Sequence, residues 1–157
     1  MTPHGGFRNR ITPDSFIQED FGNGIIRAPK DTLIDGMSVL TFAISRPPKS
    51  IQQIIDDYHI DVNADIDYFL IHQANKLIVD RVVKKLKLPI EKVPYDLEEF
   101  GNLGGASIPS LMVTRIAEPM RNKQPIKMLC SSFGLGLSWG TMIITAKNVV
   151  IPELIEI

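Results

Sequence analysis

Cysteine is nearly missing from this chain: Cys130 stands alone among 157 residues. A single thiol excludes an internal disulfide framework and suits a reducing compartment. An excess of either charge is missing too. Lys and Arg number 17 and Asp and Glu 18, for a formal net charge of -1, which gives no electrostatic footprint for nucleic acid. No apolar run approaches the ~20 residues that a bilayer-crossing helix needs. The opening Met1-Thr2-Pro3-His4-Gly5-Gly6 has no apolar h-region and is not a signal peptide. A cytoplasmic protein with no membrane contact is the expectation. Metal ligands are also wanting, because His4, His59 and His72 form no ligand spacing with cysteine or carboxylates. The GxGxxG order of a dinucleotide site does not occur, and Gly134-Leu135-Gly136 lacks the Lys-Ser/Thr of a phosphate-binding loop. No cofactor is expected.

What remains is an ordinary globular composition, 44% hydrophobic and 22% charged, and a length that suits one domain with a substantial core. Residues 1–35 are punctuated by Gly5, Gly6, Gly22, Gly24, Pro3, Pro13 and Pro29, so they read as loops and turns. Only Gly24 to Ala28 offers a short strand. From Asp35, a helix cap, the apolar spacing becomes helical, and Pro47-Pro48 must break or kink it before Ile51, Ile54 and Ile55 resume the stripe. His59 falls at the end of that helix and reads as a surface residue.

Tyr68 to Ile71 predicts a buried strand, and Asn75 caps the amphipathic helix that follows. A short strand is expected around Lys92 to Tyr95, then a helix from Ser107 towards Pro119 with Pro109 in its first turn. Ile126 to Cys130 and Thr141 to Ala146 predict two more strands. No helix separates them, so they are expected to pair antiparallel. The fold class is therefore α/β with a mixed sheet, flanking helices and a final antiparallel strand pair.

Two polar corners carry the residues with chemistry. His72 ends the first strand, where α/β proteins present side chains to ligands. It could act as general base or oxyanion donor, or it could merely satisfy a local backbone group. Asn102, in Phe100-Gly101-Asn102-Leu103-Gly104-Gly105-Ala106-Ser107, offers a neutral amide donor suited to an oxyanion. Alternatively it is a turn asparagine between glycines. Cys130 lies inside an apolar strand and reads as an inert structural thiol, not a nucleophile. Lys76, Arg81, Lys84, Lys85 and Lys87 form a solvated helix face, with attraction of an acidic partner as the alternative.

Taken together, Ile71-His72-Gln73-Ala74-Asn75, then Phe100-Gly101-Asn102 with Ala106-Ser107-Ile108-Pro109, then Phe133-Gly134-Leu135-Gly136-Leu137-Ser138-Trp139-Gly140, resemble the C-terminal half of β-ketoacyl-ACP synthase III enzymes. Order and intervals both match over residues 35–147. The resemblance implies a thiolase-like domain over residues 36–157, preceded by a loop-rich connection at 1–35. It implies an acyltransferase that joins an acyl-CoA-derived primer to malonyl-ACP by decarboxylative Claisen condensation, in fatty acid biosynthesis. His72 and Asn102 match the family's catalytic histidine and asparagine. Gln73 and Asn75 fall where the family meets the pantetheine arm of its substrates. Phe133, Gly134, Leu135 and Gly136 fall at the turn that lines the oxyanion hole and acyl pocket. Leu135 stands where the family usually has glycine, which restricts the backbone and narrows the acyl channel.

The family's nucleophilic cysteine belongs to its N-terminal half, and no residue of this sequence takes that place. The resemblance thus implies a chain that is inactive alone, pairs with a cysteine-bearing half, and works within a homodimer with acyl carrier protein as a partner. It also implies an apolar sheet edge and face left exposed. A non-catalytic half or partner subunit, or another thiolase-fold acyltransferase or polyketide synthase, stays open as the alternative.

Overall fold

The computed structural model describes residues 4–122, 125–134 and 136–155. They form two compact units, one within 1–39 and one within 40–157. In the first, Glu19–Asp20 (β1) pairs antiparallel with Ile26–Arg27 (β2), so the short strand expected near Gly24 exists and has a partner. Ser15, fully buried within a one-turn 3-10 segment, accepts a hydrogen bond from the Thr12 N–H at 2.9 Å and lies 3.1 Å from His4 Nδ1. Asp35 accepts from the Ser38 N–H at 3.0 Å, capping α1 (Gly36–Ala43) as its residue type predicts.

The helix breaks as expected, at Ile44-Ser45 just ahead of the prolines, and does not kink. α2 (Arg46–Asp57) carries Pro47 and Pro48 in its first turn, where no intrahelical donor is lost. It stops at Tyr58, and His59 lies in the left-handed region at φ 51°. β3 (Tyr68–Ile71) follows, then α3 (Lys76–Leu86). Asn75 Oδ1 accepts the Ile78 N–H at 2.8 Å, the cap expected from the sequence.

The strand predicted over Lys92 to Tyr95 does not form. Ile90–Lys92 is a 3-10 turn and the next residues are irregular. Pro94 has no N–H to give a ladder, and Lys92 Nζ instead donates to the Asn63 and Ile66 carbonyls at 2.6 Å each. Leu97–Phe100 makes one turn of helix, α4. α5 (Ser107–Thr114) and α6 (Ala117–Asn122) divide the stretch read as one helix. β4 (Ile126–Gly134) and β5 (Ser138–Ala146) are longer than expected, because most of the predicted linker is strand.

The sheet order is β3-β4-β5, parallel in the first pair and antiparallel in the second. Alternation along β3 builds the core on both faces. Phe69 and Ile71 pack with Ile51 of α2 and Ile78, Val79 and Val82 of α3. Leu70 packs with Leu111 of α5, Met120 of α6 and Met128 and Cys130 of β4. A strand covered on both sides loses its polar alternation, which is why Tyr68 to Ile71 reads as an unbroken apolar run. The outer side of β5 has no strand neighbour among the described residues, and Trp139 and Met142 on it are exposed.

Candidate active site

β3 ends one residue before His72, whose N–H continues the ladder by donating to the Ser131 carbonyl at 2.9 Å. That bond fixes the backbone from which the imidazole projects. His72 is only 7% exposed, and its ring meets Phe133 edge to face with centroids 5.0 Å apart at 84°. Phe133 in turn meets Phe42 at 6.3 Å, and Phe42 meets Trp139 at 5.6 Å. An aromatic row therefore runs from the β4–β5 hairpin and the end of α1 to the histidine. Burial lowers the His72 pKa from its ordinary 6.5, because a low-dielectric surrounding disfavours the imidazolium. Nδ1 is sealed from solvent and has no hydrogen-bond partner among the described residues.

Gln73 is fully buried, and its amide folds back so that Nε2 donates to the Ile71 carbonyl at 2.8 Å. Asn75 is exposed, with its Oδ1 committed to the helix cap. Of the pair placed at a pantetheine arm by resemblance, only Asn75 is open to a ligand.

The second corner leaves α4 through Gly101, at φ 64° and ψ -154°, a conformation essentially reserved for glycine. Asn102 follows and is exposed. Its Oδ1 accepts the Gly104 N–H at 2.9 Å. The amide oxygen is thereby engaged in the turn, and Nδ2 has no hydrogen-bond partner among the described residues. No hydrogen bond joins Asn102 to His72 among the described residues. Phe133 and Gly134 are the last two residues of β4, not part of a turn. Gly136, at φ 140°, lies in the hairpin turn, where a Cβ would meet the Ser138 nitrogen at 2.9 Å. Leu135 lies outside the described residues.

Cys130 is paired with Leu70 and Met142 in the sheet and is 3% exposed. Burial pushes its thiol up to about 11, which suits an inert residue. A cavity of about 300 Å³ is lined by residues that include Lys76, Asp80, Ile90, Tyr95, Glu98 and Arg115. It includes neither His72 nor Asn102. Within it the Tyr95 hydroxyl donates to Asp80 Oδ1 at 2.9 Å, and burial, then Asp80, holds the phenol above its ordinary value. No group of metal-ligating side chains and no helix long and apolar enough to cross a membrane occur among the described residues.

Sequence reasoning did not single out Phe42 or Asp96. Phe42 reads as one more apolar position of a helix, and only its meeting with Phe133 connects it to the histidine. Asp96 is 1% exposed yet sits in a stretch whose residue types read as surface.

The family model described as 3-oxoacyl-[acyl-carrier-protein (ACP)] synthase III C terminal matches residues 62–146, which contain His72, Asn102 and the Phe133 to Gly140 segment. Beta-ketoacyl-[acyl-carrier-protein] synthase III of Streptococcus pneumoniae, in strains Hungary19A-6 and CGSP14, is 37% identical over 145 residues. That match takes in 90% of this chain and 39% of each relative, so the chain spans about two fifths of the curated relatives it matches. A 2.1 Å crystal structure of 3-oxoacyl-(acyl-carrier-protein) synthase III superposes with a TM-score of 0.79 at 24% identity, covering 93% of this chain and 43% of that one. The 3-oxoacyl-(acyl-carrier protein) synthase of Burkholderia xenovorans LB400 gives 0.74 at 29%, covering 81% and 36%. The resemblance read from the three motifs is thus borne out, and so is the thiolase-like α/β fold with its closing antiparallel pair. The chain belongs to the 3-oxoacyl-ACP synthase III C-terminal family.

Proposed function

We propose that this chain is the decarboxylation half of a 3-oxoacyl-ACP synthase III-like acyltransferase. A cysteine-bearing half takes an acyl group from acyl-CoA as a thioester. Malonyl-ACP then enters, the bond between its methylene and carboxylate breaks, and the released electron pair moves towards the thioester carbonyl. Negative charge gathers on that oxygen. The Nε2–H of a neutral His72 and an Nδ2–H of Asn102 stabilise it, as paired oxyanion donors do. The carbanion attacks the acyl-cysteine carbonyl and the cysteine thiolate leaves.

The observation that carries this reading is the state of His72: burial favours the neutral imidazole, the form that donates without adding charge. The commitment of Asn102 Oδ1 to Gly104, which keeps the amide hydrogens for a ligand, supports it. Asn75 takes the pantetheine arm, and the hairpin turn at Gly136 supplies a backbone N–H to the acyl-cysteine oxyanion. The exposed apolar side chains on β5 fit a chain covered by another half within a homodimer. The low cysteine content fits a cytoplasmic setting.

The chain is assayed together with a cysteine-bearing half, acyl loading by intact mass and condensation by product formation. His72→Ala and Asn102→Ala are each expected to leave loading intact and to lower condensation roughly 10²-fold or more. Unchanged condensation in both variants would remove the mechanism.

A further inference from the structure

Among the described residues, Asp96 is the one carboxyl group that is almost wholly buried, at 1% exposure. It is the N-cap residue of α4, and its backbone carbonyl accepts the Glu99 and Phe100 N–H groups at 3.2 and 2.9 Å. An aspartate there ordinarily turns its side chain onto the first amides of its own helix. This one makes no such bond. Its Oδ2 instead accepts from Ser110 Oγ of α5 at 2.5 Å. Thr114 Oγ1 lies 3.4 Å from the same oxygen while donating more strongly to the Ser110 carbonyl at 2.8 Å. Oδ1 is sealed with no partner among the described residues, so the carboxyl group forgoes both local capping and full satisfaction to reach α5. Burial of a half-satisfied polar group costs stability unless some constraint holds it there.

The position explains the constraint. Asn102 lies two residues beyond α4, in an exposed loop that closes at Ser107, the first residue of α5. Asp96 therefore joins the element before that loop to the element after it. A second brace crosses the same junction, where the Arg115 guanidinium donates to the Tyr95 carbonyl and to Glu99 Oε1, the latter at 2.7 Å. That brace is exposed to water and is weak by nature.

We propose that Asp96, through its bond to Ser110, is a positioning residue that fixes the Asn102 corner for the condensation step. This rests on the function proposed above, and the experiment separates the two. Amide hydrogen exchange on this chain and step-resolved kinetics with the cysteine-bearing half are measured for Asp96→Ala, Asp96→Asn and Ser110→Ala. Asp96→Ala and Ser110→Ala will accelerate exchange at residues 101–106 while the β3 and β4 amides stay protected. Condensation will fall about 10- to 100-fold, the scale of a donor misplaced by an ångström, and acyl loading will not change. Asp96→Asn keeps an acceptor for Ser110 and will recover most of the condensation rate. If Asp96→Ala does not fold, the milder Ser110→Ala decides. Unchanged exchange at 101–106, or equal losses in loading and condensation, overturns the inference. Normal condensation in His72→Ala and Asn102→Ala overturns the functional reading, and the exchange data still judge the clamp.

Discussion

Removing the Phe133 ring will both weaken the fold and raise the pKa of His72. Phe133 is 7% exposed, against 0% for Phe69 at the centre of the same cluster, so Phe133→Ala belongs at the low end for buried phenylalanine, about 3 kcal/mol. For a chain of this size that is a fall of roughly 6–12 °C in Tm. The link to His72 is the edge-to-face contact at 5.0 Å. The ring excludes water from one side of the imidazole, and burial is the cause of the lowered pKa. Without it, water solvates the imidazolium and the pKa moves back towards 6.5. Stability will record the same change. In the native chain His72 binds its proton only below 6.5, whereas the unfolded chain binds it near 6.5. Below that pH the unfolded state holds more protons, so this contribution is complete above 6.5 and is lost as pH falls through the lowered native value. Phe133→Ala will flatten that part of the profile. NMR titration of the His72 ring and urea unfolding between pH 5 and 8 measure both effects. A destabilised variant whose His72 midpoint matches the parent would refute the assignment of the shift to burial under Phe133.

Three further outcomes are expected. Cys130 will resist alkylation at neutral pH in the folded chain and form no adduct with acyl-CoA by intact mass, since its thiol is buried and titrates near 11; rapid labelling would contradict this. Asn75→Ala will lower stability by about 1 kcal/mol in urea unfolding through loss of the α3 cap, and an unchanged midpoint would argue against the cap. Gly101→Ala will be strained at φ 64° and will reduce condensation more than acyl loading; equal losses would place Gly101 in general folding instead.

Features set by local chemistry were legible in the sequence. Asp35 and Asn75 cap the helices they precede, the run at β3 is buried on both faces, and β4 and β5 pair antiparallel because no crossover helix separates them. What depends on distant partners was not. Lys92 to Tyr95 looks like a strand, but Pro94 weakens its ladder and Lys92 bonds to the Asn63 and Ile66 carbonyls. Phe133 and Gly134 looked like a turn because strand continuity comes from pairing with Trp139 and Ser138, not from their own propensities. His72 and Asn102 could be named as candidates from their corners. Their hydrogen-bond commitments, and the reach of Asp96 to Ser110, needed the folded chain.

The central claim is that His72 and Asn102 together stabilise charge on the malonyl thioester oxygen. Carbon dioxide release from malonyl-ACP, measured on the chain assembled with a cysteine-bearing half whose nucleophile is blocked, isolates that step from acyl transfer. Release is expected to fall roughly 10²-fold or more in His72→Ala and in Asn102→Ala. Release at the parent rate in either variant would contradict the claim.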